Sequence, residues 1–151
     1  MFGMKGQGAT EYLVLLAVVL MIALVSIALL GFFPGLAGDA KKTQSDSYWK
    51  SARPFSIIDH TQSGVTLTAN IQNNDPDQRT ITAFAVAGAT NGSLTVALNA
   101  GEKRIFSIAN PNVTACTTGN AYEYQVNITY NTVDLVGLKQ IGTKPIVGKC
   151  A

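Results

Sequence analysis

Two cysteines, one histidine and one tryptophan are all that this 151-residue chain carries of those residues, and charged side chains make up only 13% of it. Each shortage excludes something. With His60 the single histidine, and Cys116 and Cys150 far from it in sequence, no cluster has the ligand spacing of a metal site. The eleven basic residues nearly balance the nine acidic ones and are scattered along the chain, so no basic stripe with interleaved aromatics exists to hold nucleic acid. Between Glu11 and Asp39 charge is missing altogether. The length suits one globular domain plus an anchoring segment and is short for two ordinary domains.

That charge-free interval holds residues 12–33, YLVLLAVVLMIALVSIALLGFF, which are apolar on every helical face and therefore unsuited to the surface of a soluble domain. About 20 such residues at 1.5 Å each match the ~30 Å hydrocarbon core of a bilayer. Gly31 and Pro34 are predicted to weaken or kink this helix, because proline lacks a backbone donor and clashes with the preceding turn. Residues 37–52, rich in Ala and Lys and free of proline, continue it until just before Pro54. A cleaved secretory signal is the competing reading, but it requires a basic start and an apolar core of roughly 7–15 residues. Here the core is longer, Lys5 is the only basic residue ahead of it, and Glu11 is acidic. Glu11 also has a plain reading, as a first-turn glutamate favoured by the helix dipole.

Beyond Phe55 the pattern changes to period two. Val65, Leu67, Ala69 and Ile71 alternate with Thr66, Thr68, Asn70 and Gln72, the signature of a strand with one buried face. The NNDPD stretch at 73–77 reads as a turn and residues 80–87 as the returning strand. Further strands are predicted in 93–98, 104–108, 122–130 and 135–141, which together suggest an all-β sandwich, immunoglobulin-like in style. In the 122–130 strand Tyr122, Tyr124, Val126, Ile128 and Tyr130 share one face, so Asn127, acceptor of an Asn-Ile-Thr glycosylation sequon, is predicted to face solvent. Asn91 and Asn112 head two more sequons in turn-like sequence. Cys116 and Cys150 suit a disulfide in an extracytoplasmic domain, worth roughly 3–4 kcal/mol in the chain-entropy model; two buried free thiols are the alternative.

Catalytic signals are poor. His60 beside Asp59, with Ser56 or Ser63 nearby, is the one grouping that invites a nucleophile reading, and a structural histidine explains it more simply. Asp75 and Asp77 lack the ligand-rich loop of a calcium site. No catalytic, cofactor or metal residue is assigned, and no enzyme is expected. Tyr48 and Trp49 suit a membrane-interface belt or packing of the helix under the sheet, of which packing is favoured.

The run Lys5-Gly6-Gln7-Gly8-Ala9-Thr10-Glu11-Tyr12-Leu13, followed at once by the apolar segment, resembles the class III signal peptide of archaeal type IV pilin precursors. Ala9 stands where many of that family carry serine. Archaeal flagellins have Gly-Thr-Leu/Ile after the cut instead, and short Flp-type pilins lack a large C-terminal domain. The resemblance implies that a membrane-embedded prepilin peptidase cuts between Gly6 and Gln7, removing leader 1–6 and keeping the hydrophobic helix. It implies an α+β, lollipop-shaped subunit: helix 7–53, membrane-spanning before assembly and filament core after it, then an extracellular, often glycosylated β-sandwich in 54–151. It implies a structural role, polymerisation through the N-terminal helix into an adhesive cell-surface filament, with further copies of the chain, an assembly ATPase and a membrane platform protein as partners.

Within that resemblance Glu11 and Tyr12 would set assembly register. Cleavage creates an α-amino group on Gln7, one turn from Glu11, and an unpaired carboxylate in a packed helical core costs several kcal/mol. The expected partner is the Gln7 amine of a neighbouring subunit. If Gln7 cyclises, the amine loses its charge and a hydrogen bond is what remains. The alternative reading is a minor pilin-like or monomeric membrane-anchored domain that binds ligands at the cell surface.

Overall fold

The computed structural model describes residues 3–87, 89–91, 94–109 and 113–151, without the side chains of residues 3–5, 31–36, 89 and 91. Its architecture is α+β: a long apolar N-terminal helix, then a small all-β domain of antiparallel sheets. Two compact units divide the chain, Met1–Ala40 and Lys41–Ala151.

Helix α1 is Gly3–Ser51. Its stretch Gly6–Leu30 is long and apolar enough to cross a membrane and is exposed throughout. The helical assignment runs through Gly31 and Pro34, whose side chains, and with them the expected kink, lie outside the described residues. The helix stops ahead of Pro54, as expected from that residue's missing donor and the restraint it places on the residue before it. Lys50 complements the dipole of the last turn, and Ser51 Oγ turns back to the carbonyl oxygen of Ser47 at 2.9 Å.

In the second unit the strands are β1 (Phe55–Ser63), β2 (Thr66–Asn73), β3 (Arg79–Val86), β4 (Ala89–Asn91), β5 (Val96–Leu98), β6 (Lys103–Ala109), β7 (Ala121–Tyr124), β8 (Val126–Asn131), β9 (Leu138–Ile141) and β10 (Ile146–Lys149). They pair as β1-β2-β6, as β4-β3-β8-β9 with β5 also on β3, and as β10-β7. Because β7 pairs with β10 where β8 pairs with β9, these four are two long strands, each interrupted once. The order is then the A-B-E and C′-C-F-G order of an immunoglobulin-type sandwich. Gly64, with φ of 55°, makes the two-residue β1–β2 loop, where Ser63 pairs with Thr66 and a positive φ matches the strand twist.

The core lies between the sheets. Leu67, Ala69 and Ile71 of β2, with Phe106 and Ile108 of β6, face Ile81, Phe84 and Val86 of β3 and Val126 and Ile128 of β8. Phe84 and Phe106 meet across it with ring centroids 6.1 Å apart, and Phe55 meets Tyr130 edge-on at 5.3 Å.

Several sequence expectations are corrected. Val65 is exposed because it belongs to the hairpin loop and not to the alternating strand. Leu135 and Val136 are exposed in the β8–β9 loop, and the strand begins at Leu138. The strand expected from Ser93 begins at Val96; Ser93 is outside the described residues. Asn91 lies in strand β4 and not in a turn. Strand β10, unread in the sequence, completes the β-unit.

Candidate functional site

Gly6 and Gln7 are exposed near the start of α1, and the carbonyl oxygen of Gly6 accepts a hydrogen bond from Thr10 Oγ1 at 2.8 Å. That oxygen belongs to the Gly6–Gln7 peptide bond, so a protease acting there must first open this helical turn. Glu11 and Tyr12 are exposed, and Thr10, Glu11, Val14 and Leu15 line a shallow, mostly apolar depression. Among the described residues Glu11 has no ion-pair partner. This segment thus carries a lone carboxylate on an otherwise apolar, uncovered helix surface.

The last turns of α1, residues 41–51, belong to the β-unit. Trp49 is 1% exposed and donates through Nε1 to the carbonyl oxygen of Lys144 at 2.9 Å. Ser45 Oγ donates to the carbonyl oxygen of Pro145 at 2.7 Å, and the Thr143 amide donates to the Tyr48 hydroxyl at 3.2 Å. Residues 142–145 are the interruption between β9 and β10. The Trp49 ring lies against Gly142, in the space a Cβ at that position would need. The broken strand therefore makes the seat for the indole, which fulfils the packing role expected of Trp49.

His60 sits beneath the same helix. Its Nδ1 is 2.7 Å from the Tyr122 hydroxyl, and its Nε2 is 3.8 Å from Asp46, which also holds Lys42 at 2.6 Å. Burial pushes the imidazole below its ordinary pKa, with Asp46 pulling the other way. Tyr122 is pushed up, first by burial and then by Asp59 and Asp46. The serines imagined beside His60 are not assembled with it. Ser56 is buried four positions earlier on β1, about 13 Å along a strand, and Ser63 is exposed at the strand's far end. Asp75 pairs with Arg79 at 3.1 Å. Among the described residues no group of acidic, histidine or cysteine side chains could hold a metal ion.

Cys116 and Cys150 form a disulfide with Cα atoms 6.0 Å apart. Backbone bridges place Cys116 beside Gly64 and Cys150 beside Gln62, so the bond joins the 113–118 segment to the 149–151 segment where both lie against the first hairpin. Three buried amides were missed in the sequence. Gln62 holds the carbonyl oxygens of Gly64 and Thr114 and accepts from Tyr124. Asn73 holds those of Asp77 and Leu98, and Gln140 brackets the amide and carbonyl of Phe55. A polar residue inside an otherwise regular strand is the only signal for them, and it does not distinguish inward from outward.

Of the sequon asparagines, Asn127 is exposed on β8 as predicted. The side chain of Asn91 and all of Asn112 lie outside the described residues. Val133, Leu135 and Val136 are 86%, 58% and 82% exposed in the β8–β9 loop, and that loop is held by bonds from the Thr132 and Leu135 amides and from the Gly137 amide to Asn131. No family model matches the chain, and no curated protein matches it.

Proposed function

We propose that the chain is a structural subunit of an archaeal type IV pilus. Its leader is removed between Gly6 and Gln7, its N-terminal helix waits in the cytoplasmic membrane and then packs in the filament core, and its β-unit faces the outside. The observation that carries this reading is the uncovered apolar surface of Gly6–Leu30 directly after the Lys5-Gly6-Gln7 motif, with Glu11 the one charge beside it. Lipid covers such a surface at no cost, so leaving the membrane gains little from hydrophobic transfer and draws on close helix packing. An assembly ATPase and a membrane platform protein supply the remaining work. The disulfide suits the oxidising exterior.

Adhesion falls to the β-unit, whose hydrogen-bonded β8–β9 loop presents Val133, Leu135 and Val136 to solvent. The test is N-terminal mass spectrometry of the protein in sheared cell-surface filaments. The expected first residue is Gln7, free or cyclised, in the bulk filament component. An intact Met1 on a protein confined to membranes points to the anchored binding domain instead, and a start near Asp39 to a secreted domain.

A further inference from the structure

We infer that the outer face of the β1-β2-β6 sheet carries a binding site for one neutral sugar ring, the end unit of a glycan, held by Asp59, Thr61, Thr68, Asn70 and Ile105. The register of β1 makes the site. Ile57 pairs with Ile71, but the next rung joins Asp59 and not Ile58 to Asn70, so Ile58 is the extra residue of a β-bulge. Past the bulge Asp59 and Thr61 are exposed, opposite Asn70 and Thr68. Strand β6 adds Ile105 and Ser107 to the same two rungs. Directly paired side chains share a sheet face with Cβ atoms about 4.5–5.5 Å apart, and bulges that re-aim a side chain in this way recur beside functional sites.

Asp59, His60, Thr61, Thr68, Asn70 and Ile105 line a cavity of about 180 Å³ on this face. That is below the roughly 300–1,000 Å³ of pockets for drug-sized ligands, so it suits a single ring. Its polar groups are mainly acceptors. Asn70 Oδ1 is buried and accepts no hydrogen bond among the described residues. Asp59 Oδ1 accepts from the His60 amide at 2.9 Å, and among the described residues Asp59 has no ion-pair partner. Thr68 Oγ1 lies 3.3 Å from Ser107 Oγ, and Ile105, 71% exposed, supplies an aliphatic wall.

A buried acceptor left unpaired costs free energy, so the ligand that gains most brings hydroxyl donors. A sugar ring offers hydroxyls to Asp59 and Asn70 on one edge and C–H groups to Ile105. A cation gains less, because Lys103 and Arg104 are exposed directly ahead of Ile105 and offset the one carboxylate. Calcium in particular takes about six to eight oxygens, more than Asp59, Asn70, Thr61 and Thr68 supply. The face is open to solvent, which leaves a path for the rest of a glycan attached to the ring.

Sugar binding here goes beyond the filament reading and requires only that the β-unit reach the cell exterior. The experiment is saturation-transfer and amide-shift NMR on the full chain in a detergent without a sugar headgroup. The probes are the methyl glycosides of mannose, galactose, glucose and N-acetylglucosamine, and the four free sugars, each at about 10 mM, roughly ten times a millimolar Kd. At least one methyl glycoside is expected to receive saturation and to shift the amides of Thr61, Asn70 and Ile105. Asp59→Asn and Ile105→Ser, both at exposed positions, are expected to weaken binding about tenfold and about threefold, with the circular dichroism of the parent; Asn70→Ala is expected to match Asp59→Asn. No transfer to any probe overturns the site, as does binding unchanged in Asp59→Asn and Ile105→Ser. Calcium shifting these amides where the sugars do not overturns the ligand class, and binding of free sugars without their methyl glycosides overturns the chain-end assignment. A mature chain that begins at Gln7 yet binds no sugar leaves the filament reading standing, and sugar binding by a chain that keeps Met1 leaves this site standing.

Discussion

The indole of Trp49 and the backbone of Gly142 occupy one another's space: the ring fills the position a Cβ at 142 would take, and its Nε1–H is satisfied by the Lys144 carbonyl two residues on. A helix residue is thereby locked into a gap in a strand 95 positions away in sequence.

Removing that lock is expected to undock the end of α1 from the β-unit. Trp49→Ala deletes a fully buried aromatic, a change that typically costs about 3–5 kcal/mol, and Gly142→Val forces the same separation from the other side. Urea unfolding of the full chain in detergent, followed by circular dichroism, measures both. Trp49 is the only tryptophan, so the emission of Gly142→Val reports the undocking directly. A midpoint and emission unchanged from the parent would show that the seat contributes nothing.

How much of this was legible depended on range. The alternation at Leu67, Ala69 and Ile71 and along Tyr122–Tyr130 is written locally, and it located the buried faces. The disulfide was legible because only two cysteines exist. The exposed position of Val65 and the seat of Trp49 were not, because each depends on pairing: the hairpin loop takes Val65 out of the strand, and the β9–β10 interruption exists only in the folded sheet. Gln62, Asn73 and Gln140 look like surface polar residues, yet each is buried holding backbone groups. At the N-terminus the sequence carried the site almost alone, since the helix that bears Gly6, Gln7 and Glu11 is featureless apart from its exposure.

Stability is expected to fall as pH drops below about 6.5. Burial holds the folded His60 pKa below its unfolded value of 6.5, so above that value both states are neutral and nothing is lost. Below it the unfolded chain takes up a proton that the folded chain refuses, with a slope of at most about 1.4 kcal/mol per pH unit, until the folded histidine protonates too. Histidine is the side chain whose ordinary pKa lies in this window, and the chain has one. Urea midpoints at pH 7.5 and 5.5 should therefore converge in His60→Gln. An equal pH dependence in parent and variant would assign it elsewhere.

Reducing the Cys116–Cys150 bond is expected to cost roughly 3–4 kcal/mol, the chain-entropy value for a loop of this length. Because the bond joins Cys116 to Cys150 where both lie against the first hairpin, the earliest change should appear as faster amide exchange around Gln62, Thr114 and Lys149, with the Phe84–Phe106 core protected. The Cys116→Ser, Cys150→Ser double variant checks the same quantity without reductant. Uniform loss of protection across the sheets would mean that the bond stabilises the whole unit and not this corner.

Glu11 is the remaining test, because the register role proposed for it would exist only between subunits. A carboxylate with no ion-pair partner among the described residues must find one when apolar helices pack around it, or destabilise the assembly by several kcal/mol. Glu11→Ala is expected to leave cleavage at Gly6 and membrane insertion intact while reducing filament yield in sheared fractions. Glu11→Gln separates the partners: with a free, charged Gln7 amine it should assemble poorly, whereas with a cyclised Gln7 offering a lactam N–H it should assemble nearly as well as the parent. Filaments of normal yield from Glu11→Ala would remove the carboxylate from any part in register, since a packed helix core has no other way to be indifferent to its loss.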